Sequence, residues 1–144
     1  MKLGFIGTGQ IAKATILGIL GSNLKVDRIY ISQRNMNISR QLSKKSKKIS
    51  ILKDNQEIIN KSNWVFLSIT PNVGNKILKD LKFKPSQTII NFISTIGMSQ
   101  LKKYIKVKYR CSDRAKRNFP RFCNKKYGTA LVFRAVSNVP VQND

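Results

Sequence analysis

Histidine is absent from this chain of 144 residues. That absence removes imidazole acid–base catalysis, the Cys–His nucleophile pair and the commonest metal ligand. Carboxylates are scarce: Asp27, Asp54, Glu57, Asp80, Asp113 and Asp144 are all there are. None of the six stands in a pair or cluster suited to general acid–base work. The two cysteines, Cys111 and Cys123, form neither a CxxC motif nor a metal set, and they read as two ordinary thiols. No apolar run is long enough to span a membrane. The apolar segment Ile11–Leu20 is interrupted by Lys13 and is followed by no small-residue cleavage site. It is therefore not a signal peptide, and we expect a cytoplasmic protein. An enzyme with this inventory must take its chemistry from a bound cofactor.

What the chain does have begins at its first glycines. Gly7-Thr8-Gly9-Gln10-Ile11-Ala12 follows the apolar run Leu3-Gly4-Phe5-Ile6 and precedes Ile16-Leu17-Gly18-Ile19-Leu20. This is G-x-G-x-x-A between a strand and a helix, the context in which the pattern binds a dinucleotide. Gly7 permits the tight turn, Gly9 lets a pyrophosphate approach the backbone, and Ala12 allows close helix–strand packing. The free N–H groups at the helix start favour the anion.

Charge is the competing signal. The formal net charge is +22, which would suit a nucleic acid. Up to Lys108, however, the cations are 17 lysines against 3 arginines, scattered among many Ile and Asn. Those three residue types share AT-rich codons, so we read the bias as base composition rather than nucleic-acid binding. The one block, Lys44-Lys45-Ser46-Lys47-Lys48, falls at a helix end, where cations suit the macrodipole.

The first hundred residues alternate strand and helix patterns. Strands are predicted at Lys2–Gly7, Arg28–Ser32, Ile49–Leu52, Trp64–Ile69 and Thr88–Ile93, with a further one starting at Ile105–Tyr109. Helices are predicted at Gln10–Gly21, with Ile11, Ala14, Leu17 and Gly18 on one face, at Ile38–Lys48 capped by Asn37, from Asp54 to Asn60, at Val73–Leu81 and at Ser99–Tyr104. This order implies an α/β fold of the Rossmann type, a doubly wound, mainly parallel sheet. Ligands bind such sheets beyond the carboxyl ends of the strands. The second strand ends in Ser32-Gln33-Arg34-Asn35, where an NAD-selective site usually places an acid. Here Arg34 stands instead, able to pair with a 2′-phosphate and stack on adenine, so we expect NADP rather than NAD. Asn55, after the third strand, is equally a ribose contact or a turn residue. Pro71 fixes the turn of Ser68-Ile69-Thr70-Pro71, which suits a segment lying along a ribose and nicotinamide. Ser94-Thr95-Ile96-Gly97 leaves the fifth strand similarly.

Taken together, Gly4–Ala12, Asn55-Gln56-Glu57, Ser68-Ile69-Thr70-Pro71 and Ser94-Thr95-Ile96-Gly97 resemble the N-terminal domain of pyrroline-5-carboxylate reductase over roughly residues 1–108. The resemblance implies hydride transfer from NAD(P)H to the C=N bond of 1-pyrroline-5-carboxylate, a small-molecule substrate. It also implies cofactor contacts at Gly7, Thr8, Gly9, Gln10, Ile11, Ser32, Arg34, Asn55, Ser68, Ile69, Thr70, Pro71, Ser94 and Ile96. One departure is Thr70, where the family usually has lysine. No catalytic side chain can be named, and no metal is implied.

Beyond Lys108 the composition changes. Residues 1–108 hold 18 isoleucines and 109–144 hold none, while arginine overtakes lysine by 5 to 3. Only Thr129-Ala130-Leu131-Val132-Phe133 reads as a short strand. By the resemblance, a strand with an Arg-x-Met-Pro-type motif and an all-helical domain carrying the dimer interface should follow, and neither is recognisable. We therefore divide the chain into a cofactor domain, 1–108, and an atypical basic tail, 109–144, expected to be out of frame or truncated. The rival reading is a phosphate-binding arm, in which Arg110, Arg114, Lys116, Arg117 and Arg121 interleave with Phe119, Phe122 and Tyr127.

Overall fold

The computed structural model describes residues 1–96, 98–105 and 132–134. Strands β1 (Lys2–Ile6), β2 (Arg28–Ser32), β3 (Ile49–Leu52), β4 (Trp64–Leu67), β5 (Thr88–Asn91) and β6 (Val132–Arg134) form one sheet in the order β3-β2-β1-β4-β5-β6. Every neighbouring pair is parallel. Helices α1 (Gln10–Leu20), α2 (Met36–Lys45), α3 (Asn55–Lys61), α4 (Pro71–Ile77) and α5 (Met98–Tyr104) alternate with the strands. The order of the first four strands reverses at β1, which is where a doubly wound sheet opens a crevice.

Two cores lie on the two faces, and the period of two along each strand sorts the side chains between them. Leu3 and Phe5 join Ile29, Ile31 and Phe66 with Ala12 and Ile16 of α1 and Ile38 and Leu42 of α2. Ile6 joins Val65, Leu67 and Ile89 with Ile58 and Ile59 of α3 and Leu101 of α5. Phe5 stacks on Phe66 at 4.3 Å between centroids, and Phe92 tilts against Phe66 at 5.9 Å. These buried strands read as near-continuous apolar runs because both faces are covered.

Several boundaries differ from the sequence reading. Strands β1, β4 and β5 end earlier than predicted, because Gly7, Ser68–Ile69 and Phe92–Ile93 have already left the ladder for the loops beyond it. Helix α2 is capped by Asn35, not Asn37: the Asn35 Oδ1 accepts the Ile38 N–H at 3.3 Å. Helix α3 is capped by Asp54, which accepts the Gln56 N–H at 3.0 Å. Helix α4 starts at Pro71, where the missing N–H costs nothing, and stops at Ile77. The buried face of α1 is Ala12 and Ile16, while Ile11, Ala14, Leu17 and Gly18 are exposed. Both faces of that helix are apolar, so spacing alone selected the wrong one. Ile105 closes the last turn of α5 by donating its N–H to the Leu101 carbonyl at 2.9 Å, and is not the start of a strand. The rest of the predicted strand lies outside the described residues. β6 overlaps the predicted Thr129–Phe133 strand and pairs with β5, Ile89 opposite Val132.

Candidate functional site

The carboxyl ends of β1, β2 and β4 surround a cleft of about 420 Å3 lined by Gly7, Thr8, Gly9, Arg34, Asn35, Met36, Asn37, Ser68, Ile69 and Thr70. Its floor is the glycine loop. Gly7 has φ +92°, and a Cβ there would stand 2.4 Å from the Ser68 carbonyl oxygen and 2.5 Å from Ile69 Cγ2. A side chain is excluded twice over, by backbone conformation and by space. Gly9 is the opposite case. It has ordinary extended backbone as the cap of α1, and a Cβ there would meet nothing within 4 Å. Its bareness leaves room over the loop rather than inside the fold, which is the cradle a pyrophosphate needs. The first turn of α1 carries no acidic residue to compete for its N–H groups.

Hydroxyls brace this loop from beneath. Ser68 Oγ lies 2.8 Å from the Gly7 carbonyl and 3.3 Å from that of Ile6. Gly7 N–H donates to Ser32 Oγ at 3.1 Å, and Thr8 Oγ1 donates to the Ser32 carbonyl. Thr8 and Ser32 are buried. Their side chains therefore face the protein rather than the cleft, which leaves the Thr8 backbone as the part on its floor. Buried groups so paired each cost about 1–3 kcal/mol to leave unsatisfied.

The second wall is the turn from β2 into α2. Arg34 is exposed there, and among the described residues no carboxylate lies within ion-pairing distance of it. Thus the structure brings together Gly7, Thr8, Gly9, Arg34, Ser68, Ile69 and Thr70. Ser32 lies directly behind them. Gln10 and Ile11, in the first turn of α1, are exposed and outside the lining; Asn55 at the start of α3 and Pro71 at the start of α4 are half-buried and also outside it. Ser94 is exposed in the loop after β5, while the Ile96 side chain is buried in the core and its carbonyl accepts the Asn91 side-chain amide at 2.9 Å. Any contact from Ile96 to a ligand would fall to its backbone. Asn35 closes the strand-end segment Ser32–Asn35, but sequence reasoning missed Met36 and Asn37 as lining residues. Placing the cap at Asn35 would have revealed them, since the first residues of a helix after a strand end face the same crevice.

Titrations perturbed by structure belong to the other end of the sheet. The N-terminal ammonium of Met1 hydrogen-bonds the Asp27 carboxylate and holds its pKa below the usual range. Glu57, at 2.6 Å, raises the pKa of Lys61.

Residues 2–95 match the family described as NADP oxidoreductase coenzyme F420-dependent. The chain belongs to this family. It is 32% identical over 82 residues to pyrroline-5-carboxylate reductase 3 of Danio rerio, covering 56% of this chain and 28% of that protein. The solved 1-pyrroline-5-carboxylate reductase of Streptococcus pyogenes shares 27% identity and superposes with a TM-score of 0.59, over 73% of this chain and 38% of the other. The pyrroline carboxylate reductase of Plasmodium falciparum, solved with NADP bound, shares the fold at TM-score 0.64 and 15% identity, over 94% of this chain and 58% of the other. The chain thus spans less than two thirds of the length of each. What it contains is an NAD(P)-binding domain like that of the pyrroline-5-carboxylate reductases, with a nicotinamide dinucleotide as its cofactor class. No helix among the described residues is long and apolar enough to cross a membrane.

Proposed function

We propose that the chain is the cofactor-binding part of an NADP-preferring reductase that reduces the C=N bond of 1-pyrroline-5-carboxylate to give proline. The observation that carries the nucleotide preference is Arg34 on the cleft wall at the end of β2, with no carboxylate in that turn. A carboxylate there would repel a 2′-phosphate, whereas a guanidinium pairs with it through two donors. The bare Gly9 and the N–H groups of α1 hold the pyrophosphate. Ser68, Ile69 and Thr70 line the side of the cleft away from Arg34's turn and would take the ribose on the nicotinamide side, with Pro71 fixing their exit. Asn55, Ser94 and Ile96 complete the contacts by resemblance. When bound, the nicotinamide supplies the hydride. This chain's residues supply orientation. Dimer assembly, by the resemblance, belongs to the all-helical domain rather than to this part, and the expected location is cytoplasmic.

Titrating the protein with NADPH and with NADH, read by nucleotide fluorescence, tests the preference. NADPH is expected to bind about tenfold or more tighter, and Arg34→Ala should bring the two affinities together. Equal affinities for the unaltered protein would remove the 2′-phosphate assignment. NADPH consumption across cyclic imines and 2-oxo acids tests the substrate class, and turnover of an oxo acid alone would remove the imine.

A further inference from the structure

Ser39 lies on α2, one turn past the cap, and is fully buried. It is not part of the cleft lining. Its hydroxyl stands 2.8 Å from the Asn35 carbonyl and 2.9 Å from the Ser32 carbonyl. The first of these is the ordinary back-bond of a helical serine to the residue four before it. The second reaches out of the helix to the last residue of β2. One hydrogen is therefore shared between two carbonyls that bracket Gln33 and Arg34.

The same Ser32 carbonyl also accepts from Thr8 Oγ1, and Ser32 Oγ accepts the Gly7 N–H at 3.1 Å. Both lone pairs of that carbonyl are used. Thr8, Ser32 and Ser39 thus form one buried run of hydroxyls from the glycine loop to the turn that carries Arg34. Arg34 itself is exposed and has no ion-pair partner among the described residues. Nothing described holds its side chain directly. Its place on the cleft wall is set by the two ends of its turn, and Ser39 grips both.

We propose that Ser39 is a positioning residue for nucleotide preference: it fixes the Ser32 and Asn35 carbonyls so that Arg34 stays where a 2′-phosphate would lie. This rests on Arg34 being the partner of that phosphate. Loss of the Ser39 hydroxyl removes the one side-chain tie, among the described residues, between the two ends of the turn, which keep the Ser39 N–H on the Asn35 carbonyl and Thr8 Oγ1 on that of Ser32. The turn loosens while the glycine loop stays held, so binding of the shared pyrophosphate should survive.

The test compares NADPH and NADH binding to the full chain and to Ser39→Ala, by nucleotide fluorescence at one salt concentration. Ser39→Ala is expected to weaken NADPH about fivefold to tenfold, the scale of one lost buried hydrogen bond, and to leave NADH within about twofold. The NADPH-to-NADH ratio is the readout that general destabilisation would not move. Should Ser39→Ala fail to fold, Ser39→Cys keeps a side chain of similar shape with only a weak donor, and the same fall in the ratio is expected. An unchanged ratio, or parallel loss of both nucleotides, overturns the proposal while the Arg34 reading stands. Equal binding of both nucleotides by the unaltered protein removes the Arg34 reading and this proposal with it.

Discussion

The two walls of the cleft are built on opposite principles. The glycine loop is fixed by exclusion: at Gly7 there is neither room nor backbone freedom for a side chain. The β2–α2 turn is fixed by attachment: its working residue, Arg34, is exposed, while buried hydroxyls hold the backbone on either side. The first wall determines whether a dinucleotide can lie down at all. The second determines which dinucleotide. Shape can be demanded by a missing atom, but discrimination needs a charge placed at the right distance, and a placed charge must be held by something.

That contrast can be broken in graded steps. The largest effect is expected from Gly7→Ala. It combines a left-handed backbone with contacts at 2.4 and 2.5 Å, and should cost about 3 kcal/mol or more. Thermal unfolding would show it as a fall in Tm together with lost nucleotide binding; an unchanged Tm would mean the loop is not sterically fixed. Next, Gly9→Val should leave Tm near that of the unaltered protein, because a Cβ there meets nothing, yet weaken NADPH and NADH alike by at least about tenfold. A large Tm loss would place Gly9 with Gly7 as a structural glycine. Arg34→Ala should weaken NADPH alone, by about 1.5–3 kcal/mol for a charge-assisted contact, with Tm unchanged.

The smallest effect lies at the far end of the sheet. Asp27 has a depressed pKa in the folded chain through the Met1 ammonium. Its contribution to stability is thus present above the ordinary carboxylate pKa and fades as pH falls through the lower folded value. The pair is exposed, so Asp27→Asn should reduce Tm only slightly at neutral pH, and by less at an acidic pH below the usual carboxylate range. Nucleotide affinity should not change at either pH. A change would show that the two ends of the sheet are coupled.

Much of this was legible in the residues. Glycine spacing between an apolar strand and an apolar helix gave the loop, and buried runs such as Trp64–Leu67 gave parallel strands covered on both faces. What was not legible was direction. Ser32 stands at a strand end, where spacing suggests a ligand contact, but a hydroxyl can turn equally to a neighbouring loop, and here it does. The buried face of α1 was hidden because both its faces are apolar, and only the sheet's position chooses between Ile16 and Leu17. The cap of α2 was displaced by two residues because Asn35 and Asn37 carry the same chemistry. That slip concealed Met36 and Asn37 from the cleft. β6 draws its residues from a stretch whose composition has lost the isoleucine that marked every other strand outside β4.

The central claim is that this cleft holds NADP with its pyrophosphate over Gly9 and its 2′-phosphate at Arg34. A crystal structure of the full chain grown with NADP tests it most directly. The account expects the pyrophosphate against the Gly7–Gly9 backbone and the start of α1, and a 2′-phosphate oxygen within hydrogen-bonding distance, about 2.7–2.9 Å, of the Arg34 guanidinium. Nucleotide bound elsewhere, or bound here with its 2′-phosphate turned away from Arg34, would contradict it.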